Sequence, residues 1–132
     1  MKVFHYVNFV LIFLILVGIC IAEDLLVSNS LREIQTQCYQ IETSLKEEND
    51  DLKNMKIVLL IDNLEYKWTE DESKLCYLVH HKNIQEIGQE VAKLKQYISS
   101  NDSDAFKVSI SSIKSYCHNY LHFMGANWHN IL

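Results

Sequence analysis

Three stretches of the chain repeat apolar residues at alternating steps of three and four positions, and the sequence contains no proline. A period of about 3.5 residues is typical of helices that pack into bundles. Glycine outside the first 22 residues is limited to Gly88 and Gly125, so the chain is predicted to be mostly helical. The three stripes are Leu31, Ile34, Cys38, Ile41 and Leu45; Ile84, Ile87, Val91, Leu94 and Ile98; and Phe106, Ile110, Ile113, Cys117, Tyr120 and Met124.

A fourth segment runs from about Leu52 to Trp68 and contains five consecutive apolar residues at 57–61. Such a run fits a buried strand as well as a helix. We favour a helix, because no second strand is apparent in the sequence and a lone strand leaves its backbone unsatisfied. Short connections make neighbouring helices antiparallel. The predicted fold class is all-α: an antiparallel up-down bundle of about four helices following an N-terminal hydrophobic helix, with a break near residues 80–83.

Several residues have the chemistry and spacing of helix caps, which fix where each helix is predicted to begin and end. The polar stretches at 46–51 and 99–104 are predicted turns. The tail at 126–132 is apolar enough that we expect it to dock back on the bundle. The predicted caps are Asn49 or Asp50, Thr69 with Glu72, Asn83 with Glu86, Asp102 or Ser103, and Gly125 at a C-terminus.

The first 22 residues have the pattern of a targeting or anchoring segment. Lys2 precedes an uninterrupted apolar run of fourteen residues, Phe9 to Ala22, and the polar chain starts at Glu23. This run has the length of a signal-peptide core, and Ala22 and Cys20 suit cleavage after Ala22. Counted back to Val3 it also approaches the roughly 20 residues of a bilayer span.

Both interpretations of the leader give the same topology, with Lys2 in the cytoplasm and the rest outside. We therefore predict a signal peptide or N-terminal membrane anchor at 1–22 and an extracytoplasmic helical-bundle domain at 23–132. The protein is expected in the cell membrane, as a single-pass protein, or secreted. If Ala22 is not cut, the anchor and the first bundle helix are expected to form one continuous rod.

The domain that follows the leader is acidic and contains an odd number of cysteines. Without Lys2, 11 basic residues remain against 17 acidic ones, a net charge of −6 with histidine neutral. A nucleic acid is therefore not an expected partner, because it selects a basic surface. Three widely spaced cysteines, Cys38, Cys76 and Cys117, do not form a disulfide framework. We expect them to pack as small core residues.

The chain resembles a bacterial family, the domain of unknown function 4363, best from about Trp68 to the C-terminus. The features that carry the resemblance occur in order along the chain. The family implies a small helical protein that is anchored or exported, mostly in Gram-positive bacteria, and it implies no activity or ligand. His80 departs from the family, which more often has an acidic residue there. The shared features are the N-terminal hydrophobic segment, Trp68, the His81 break leading into Ile84 and Ile87, Leu94-Lys-Gln-Tyr-Ile98 and Asn130-Ile-Leu132.

A set of histidines is the sharpest candidate for chemistry. His118 and His122 are four residues apart on one predicted helix and share a face, and the antiparallel arrangement places His80 and His81 near them. Cys76 precedes His80 by the same spacing. Imidazole and thiolate bind zinc and other divalent metals, and histidine also titrates near neutral pH. Helix capping or solvent exposure is the competing explanation.

No catalytic residue and no cofactor other than such a metal is predicted. Glu70, Asp71 and Glu72 are interpreted as first-turn capping acids. The serines at 109, 111, 112 and 115 are interpreted as a small-residue helix face. We expect a non-enzymatic interaction domain of the bacterial cell envelope that binds another envelope protein or itself. The alternative is a metal-binding or pH-sensing envelope domain built on the histidines.

Overall fold

The computed structural model describes residues 2–79 and 81–129, with side chains at 6–79, 82 and 84–122. Over these ranges the chain forms four helices and no strand, so the apolar run at 57–61 is helical as expected. The fold class is confirmed as an antiparallel all-α bundle that follows a long apolar helical segment. The helices are α1 (Lys2–Glu47), α2 (Met55–Leu78), α3 (His81–Ser100) and α4 (Ser103–His129).

The four helices form a square in which each helix contacts two neighbours. Helix α1 packs against α2 and α4, and α3 packs against the same two. The predicted stripes supply the core, because a repeat of three and four residues keeps one helix face directed inward. Apolar helix residues with at most 2% of their surface exposed come from every helix: Val27, Leu31, Ile34, Cys38, Ile41, Leu45, Ile57, Ile61, Leu64, Leu75, Ile84, Ile87, Leu94, Phe106, Ile110, Ile113 and Cys117.

Helix α1 runs without interruption from the apolar leader into the bundle. Every residue from Tyr6 to Ala22 is exposed, and the first buried side chain of the helix is Val27. Neither a turn nor a cap separates the two parts, so the uncut chain has the continuous rod expected from the sequence. The leader and the bundle are thus mechanically connected by one helix of 46 residues.

The turns at the end of the bundle far from the leader confirm one predicted cap and correct another. The Asp102 Oδ1 accepts a hydrogen bond from Ala105 N at 3.0 Å and caps α4, as predicted. The cap of α2 is Asn54, whose Oδ1 accepts from Lys56 N at 2.8 Å. The prediction of Asn49 or Asp50 was wrong, since both adopt left-handed backbone conformations in the preceding turn, with φ of 54° and 62°.

Three further predicted caps lie inside helices instead of at their ends. Thr69 is in the middle of α2, where its hydroxyl donates to the Glu65 carbonyl at 2.9 Å. The helix does not stop there, because its buried stripe continues through Leu75. Asn83 follows the start of α3 at His81. Helix α4 continues through Gly125 to His129, since one interior glycine costs only about 1 kcal/mol.

A break between α2 and α3 is confirmed, but it begins before the predicted residues 80–83, of which 81–83 are already helical. Helix α2 ends at Leu78, and Val79 is extended, with its N–H donating to the Leu75 carbonyl at 2.8 Å. Helix α3 then begins at His81. The predicted docking of the tail at 126–132 concerns side chains outside the described part of the chain.

Candidate functional site

The outward side of α2 carries four large apolar or aromatic residues that face solvent. Met55, Leu59, Tyr66 and Tyr77 are 78%, 56%, 73% and 90% exposed. At 100° per residue they lie within about 40° of one another around the helix. We call these four residues the outer α2 face. It lies opposite the buried face of the same helix, which packs into the core.

Acidic side chains accompany the outer α2 face. Asp62 and Glu65 are both paired with Lys95 of α3, at 3.0 Å for Asp62. Glu70, on the same side of α2, is exposed and makes no ion pair among the described residues. The surface around these apolar residues is therefore negative over part of its length.

The sequence contains a signal for this surface that is separate from the core stripes. Met55, Tyr66 and Tyr77 recur at intervals of eleven residues, which is close to three helical turns. A repeat of eleven keeps residues on one face as effectively as alternating steps of three and four. The core residues of α2 lie on the opposite side of the helix. A helix over this segment therefore places these three residues on the side that faces away from the core.

The histidines are only partly within the described residues. His80 lies outside them, and so does the side chain of His81, which begins α3. His118 and His122 are exposed on α4, with ring centroids 6.3 Å apart and ring planes inclined by 51°. Cys76 is half-buried at the edge of the core. No group of three or more His, Cys, Asp or Glu side chains converges among the described residues.

The structure thus brings together one pair from the predicted metal set, His118 and His122. This pair follows from their spacing of four on one helix. Whether the pair binds a metal stays a prediction.

Two cysteine side chains are core residues, as the sequence predicted. Cys38 of α1 and Cys117 of α4 are fully buried, and burial raises the pKa of both thiols, that of Cys117 to about 12. A thiol with such a pKa is protonated at neutral pH, and the thiolate is the reactive form. These two residues therefore act as small packing groups.

The acidic cluster at 70–72 does not cap a helix, contrary to the prediction. It lies within α2, and Asp71 faces the core with 3% of its surface exposed. Its carboxylate is 3.2 Å from the Lys67 ammonium and 3.7 Å from that of Lys74. Lys67 also pairs with Glu33 of α1 at 2.9 Å, so a charged network links α1 and α2.

The predicted small-residue face of α4 includes one buried polar contact. The Ser109 hydroxyl donates to the Glu90 carboxylate of α3 at 2.6 Å. Burial alone raises the pKa of the Glu90 carboxyl, but the hydrogen bonds from Lys93 and Ser109 outweigh it and hold the pKa below its ordinary value. Ser112 instead donates to the Val108 carbonyl of its own helix at 3.0 Å.

Near the leader, α4 and the end of α2 approach the exposed part of α1. Tyr120 and Leu78 line a shallow pocket with Cys20, Asp24 and neighbouring residues of α1. Burial, and then the negative charge of Asp24, raise the pKa of the Tyr120 hydroxyl. In the described part of the chain, α1 is the helix long and apolar enough to cross a membrane, a property that signal sequences share.

Comparison with known families gives one match. Residues 25–131 match the family described as Domain of unknown function (DUF4363). The match covers the whole bundle and excludes the apolar leader. No curated protein and no solved structure shows significant similarity to the chain.

Proposed function

The chain belongs to the DUF4363 family, and we propose that it is a membrane-tethered, non-enzymatic module of the bacterial cell envelope. In this proposal it binds another envelope protein through the outer α2 face. Helix α1 holds it in the membrane with its N-terminus in the cytoplasm. The observation that carries the proposal is the alignment of Met55, Leu59, Tyr66 and Tyr77 on one exposed side of α2.

The tether is supported by the exposure of the leader. A helix that is apolar on all sides needs an apolar surrounding, which a soluble bundle of this size does not provide. From Tyr6 to Ala22 no residue is buried against the bundle, so lipid is the environment that suits this segment. The positive Lys2 and the acidic Glu23 flank it in the order expected for an N-terminus inside.

The binding role is supported by the chemistry of the outer α2 face. Exposed tyrosine and methionine recur at binding surfaces, because they offer large contact areas. Four such residues on one helix side differ from the scattered exposed apolar residues of ordinary surfaces. Asp62, Glu65 and Glu70 favour a partner whose own apolar contact is bordered by lysine or arginine.

The non-enzymatic character is supported by how the reactive side chains are engaged. The Cys38 and Cys117 thiols are packed in the core and protonated at neutral pH. The Asp71 carboxylate is paired with lysines, and the Ser109 hydroxyl donates to Glu90. Each of these groups has a structural role in the bundle.

Site-specific photo-crosslinking in the membranes of the source organism tests the proposal. A photoreactive amino acid at Tyr66 is expected to give one discrete adduct with a different protein. The matched control is Gln89, an exposed residue on the outward side of α3. Equal crosslinking from both positions would contradict the proposal, and so would an adduct that contains only a second copy of the chain.

The captured protein is then purified and titrated against the full-length chain in detergent. Tyr66→Ala and Leu59→Ala are each expected to weaken binding about tenfold or more, because truncation of a central contact residue typically costs over 1 kcal/mol. Gln89→Ala is expected to leave Kd unchanged. Binding that is equal for all three variants would show that another surface is used.

A second candidate function, metal binding or pH sensing, has one observation in its favour. His118 and His122 are exposed and adjacent on α4, which allows two imidazoles to reach one ion. Zinc in excess is then expected to raise the melting temperature of the full-length chain. The increase should be lost in the variant carrying His118→Ala and His122→Ala. An unchanged melting temperature with zinc would eliminate this candidate.

A further inference from the structure

The last part of the chain contains no charged side chain. From Ser115 to Leu132, 18 residues include no Asp, Glu, Lys or Arg. The preceding part of the domain is rich in them. The uncharged segment contains Phe123, Met124 and Trp128 together with asparagine and histidine. Aromatic and apolar residues mixed with neutral polar ones are typical of the boundary between lipid headgroups and acyl chains.

The fold carries this segment toward the leader. Helix α4 packs antiparallel to α1, and Tyr120 lines one pocket with Cys20 and Asp24. After Tyr120 the helix continues for nine residues, to His129. At 1.5 Å per residue this adds about 13 Å, which brings the helix end to the level of about residue 15 of α1. That level lies within the apolar run.

We propose that the C-terminal end of α4, residues 123–129, is a second membrane contact. It inserts into the headgroup and upper acyl region of the leaflet from which α1 emerges. The inference rests on the tether in the proposed function. If α1 crosses the bilayer and Glu23 marks the surface, the end of α4 lies about 12 Å below it, just beyond the roughly 5 to 10 Å at which interfacial helices are buried.

The lipid chemistry that fits this segment is neutral. Without lysine or arginine the segment gains nothing from anionic headgroups, and the acidic bundle is repelled by them. Two attachments, α1 and the end of α4, would fix the bundle relative to the membrane plane. The outer α2 face would then point in a defined direction instead of turning about a single rod.

Depth-dependent tryptophan quenching tests the contact on the full-length chain in phosphatidylcholine vesicles. The chain has two tryptophans, and Trp68 is only 4% exposed within the bundle, so it is an internal reference. A quencher near the glycerol end of the acyl chain is expected to remove the Trp128 share, about half of the emission. Trp128→Phe should abolish this quenching, whereas Trp68→Phe should retain it.

A variant that adds a charge without removing an aromatic ring provides a second measurement. Ala126→Glu is expected to reduce the quenching of Trp128 severalfold, because a carboxylate opposes insertion. Ser111→Glu, at an exposed position of α4 within the bundle, should not reduce it. Quenching in the unaltered chain should be the same at low and high salt, and a loss at high salt would overturn insertion of an uncharged segment.

Flotation of the same vesicles separates failure of the contact from failure of the tether. A chain that floats with the vesicles but shows no quenching of Trp128 overturns the second contact and leaves the tether intact. Quenching that is unchanged in the Trp128→Phe variant would also overturn the second contact and leave the tether intact. A chain that does not float overturns the tether and the contact together.

Discussion

Helix α1 contains two apolar halves that meet different surroundings. Between Phe9 and Ala22 every side is apolar and every residue is exposed. Between Val27 and Leu45 apolar residues recur at steps of three and four, and that stripe is buried. The backbone is helical in both, so neither helix propensity nor continuity distinguishes them.

The difference shows that the arrangement of apolar residues, more than their number, assigns each half its environment. A stripe can be buried against two neighbouring helices while its other side faces water. An all-round apolar surface cannot be satisfied in that way. Over the few residues between Ala22 and Val27, the same helix therefore changes from a surface that is apolar on all sides to one whose apolar stripe is packed in the core.

The largest expected effect separates the halves by packing. Ile34→Ala removes a side chain that is 0% exposed, and it should lower the free energy of unfolding by about 2 to 5 kcal/mol. Ile15→Ala, in the apolar half, should leave this free energy unchanged, because Ile15 is 53% exposed. Urea denaturation of the full-length chain in detergent, followed by circular dichroism, measures both. Equal losses would mean that the apolar half also packs against the bundle.

The next largest effect concerns membrane attachment, for which the apolar half of α1 is expected to be sensitive to substitution and the bundle half insensitive. Leu14→Arg should disfavour insertion by about 3 kcal/mol and shift the chain from the membrane fraction to the soluble fraction. Thr36→Arg, at an exposed position in the bundle half, should leave fractionation unchanged. Quantitative separation of membranes after expression measures the shift. A membrane-bound Leu14→Arg chain would mean that another segment provides the attachment.

Two glycines offer a finer comparison of the same regions. A Cβ at Gly88 would lie 3.1 Å from the Trp68 Nε1 and 3.2 Å from a Glu72 carboxylate oxygen, whereas none of the neighbouring atoms lies within 4 Å at Gly18. Gly88→Ala should cost about 1 kcal/mol, because crowding against the buried Trp68 exceeds the gain in helix propensity. Gly18→Ala should leave bundle stability unchanged in thermal melts. A stabilised Gly88→Ala chain would show that Trp68 moves aside.

The comparison also explains how far the sequence predicts the fold and the site. The alternating stripes predicted the bundle, because residues buried on one helix face recur at regular intervals in the sequence. The predicted break before His81 was also confirmed. The cap at Thr69 was wrong, since a capping motif does not end a helix whose core stripe continues through Leu75. The prediction that Asp71 lies in the first turn of a helix was wrong for the same reason. When the stripe of α2 is extended to Leu75, it shows that Asp71 faces inward.

The candidate surface was harder to predict than the core. The core is indicated by the spacing of many residues in every helix, whereas the outer α2 face is indicated by one eleven-residue interval in a single helix. The interval between Tyr66 and Tyr77 indicates a shared face, and the structure shows that this face is exposed. The side chains of His118 and His122 met because a spacing of four on a helix is local. Convergence of histidines from different helices depends on tertiary packing, which spacing alone does not determine.

The smallest expected effect is a pH dependence confined to the bundle. The pKa of Glu90 is held below its ordinary value by Lys93 and Ser109, despite its burial. Its contribution to stability is therefore complete above the ordinary carboxyl pKa and is lost as the pH falls through the lowered value. Ser109→Ala should cost about 1 kcal/mol at neutral pH, and the cost should diminish in acid as Glu90 is protonated. Ser112→Ala, whose hydroxyl bonds within its own helix, should show no such pH dependence in urea denaturation at neutral and acidic pH. A Ser109→Ala cost that is the same at both pH values would mean that packing, and not the bond to Glu90, stabilises the contact between α3 and α4.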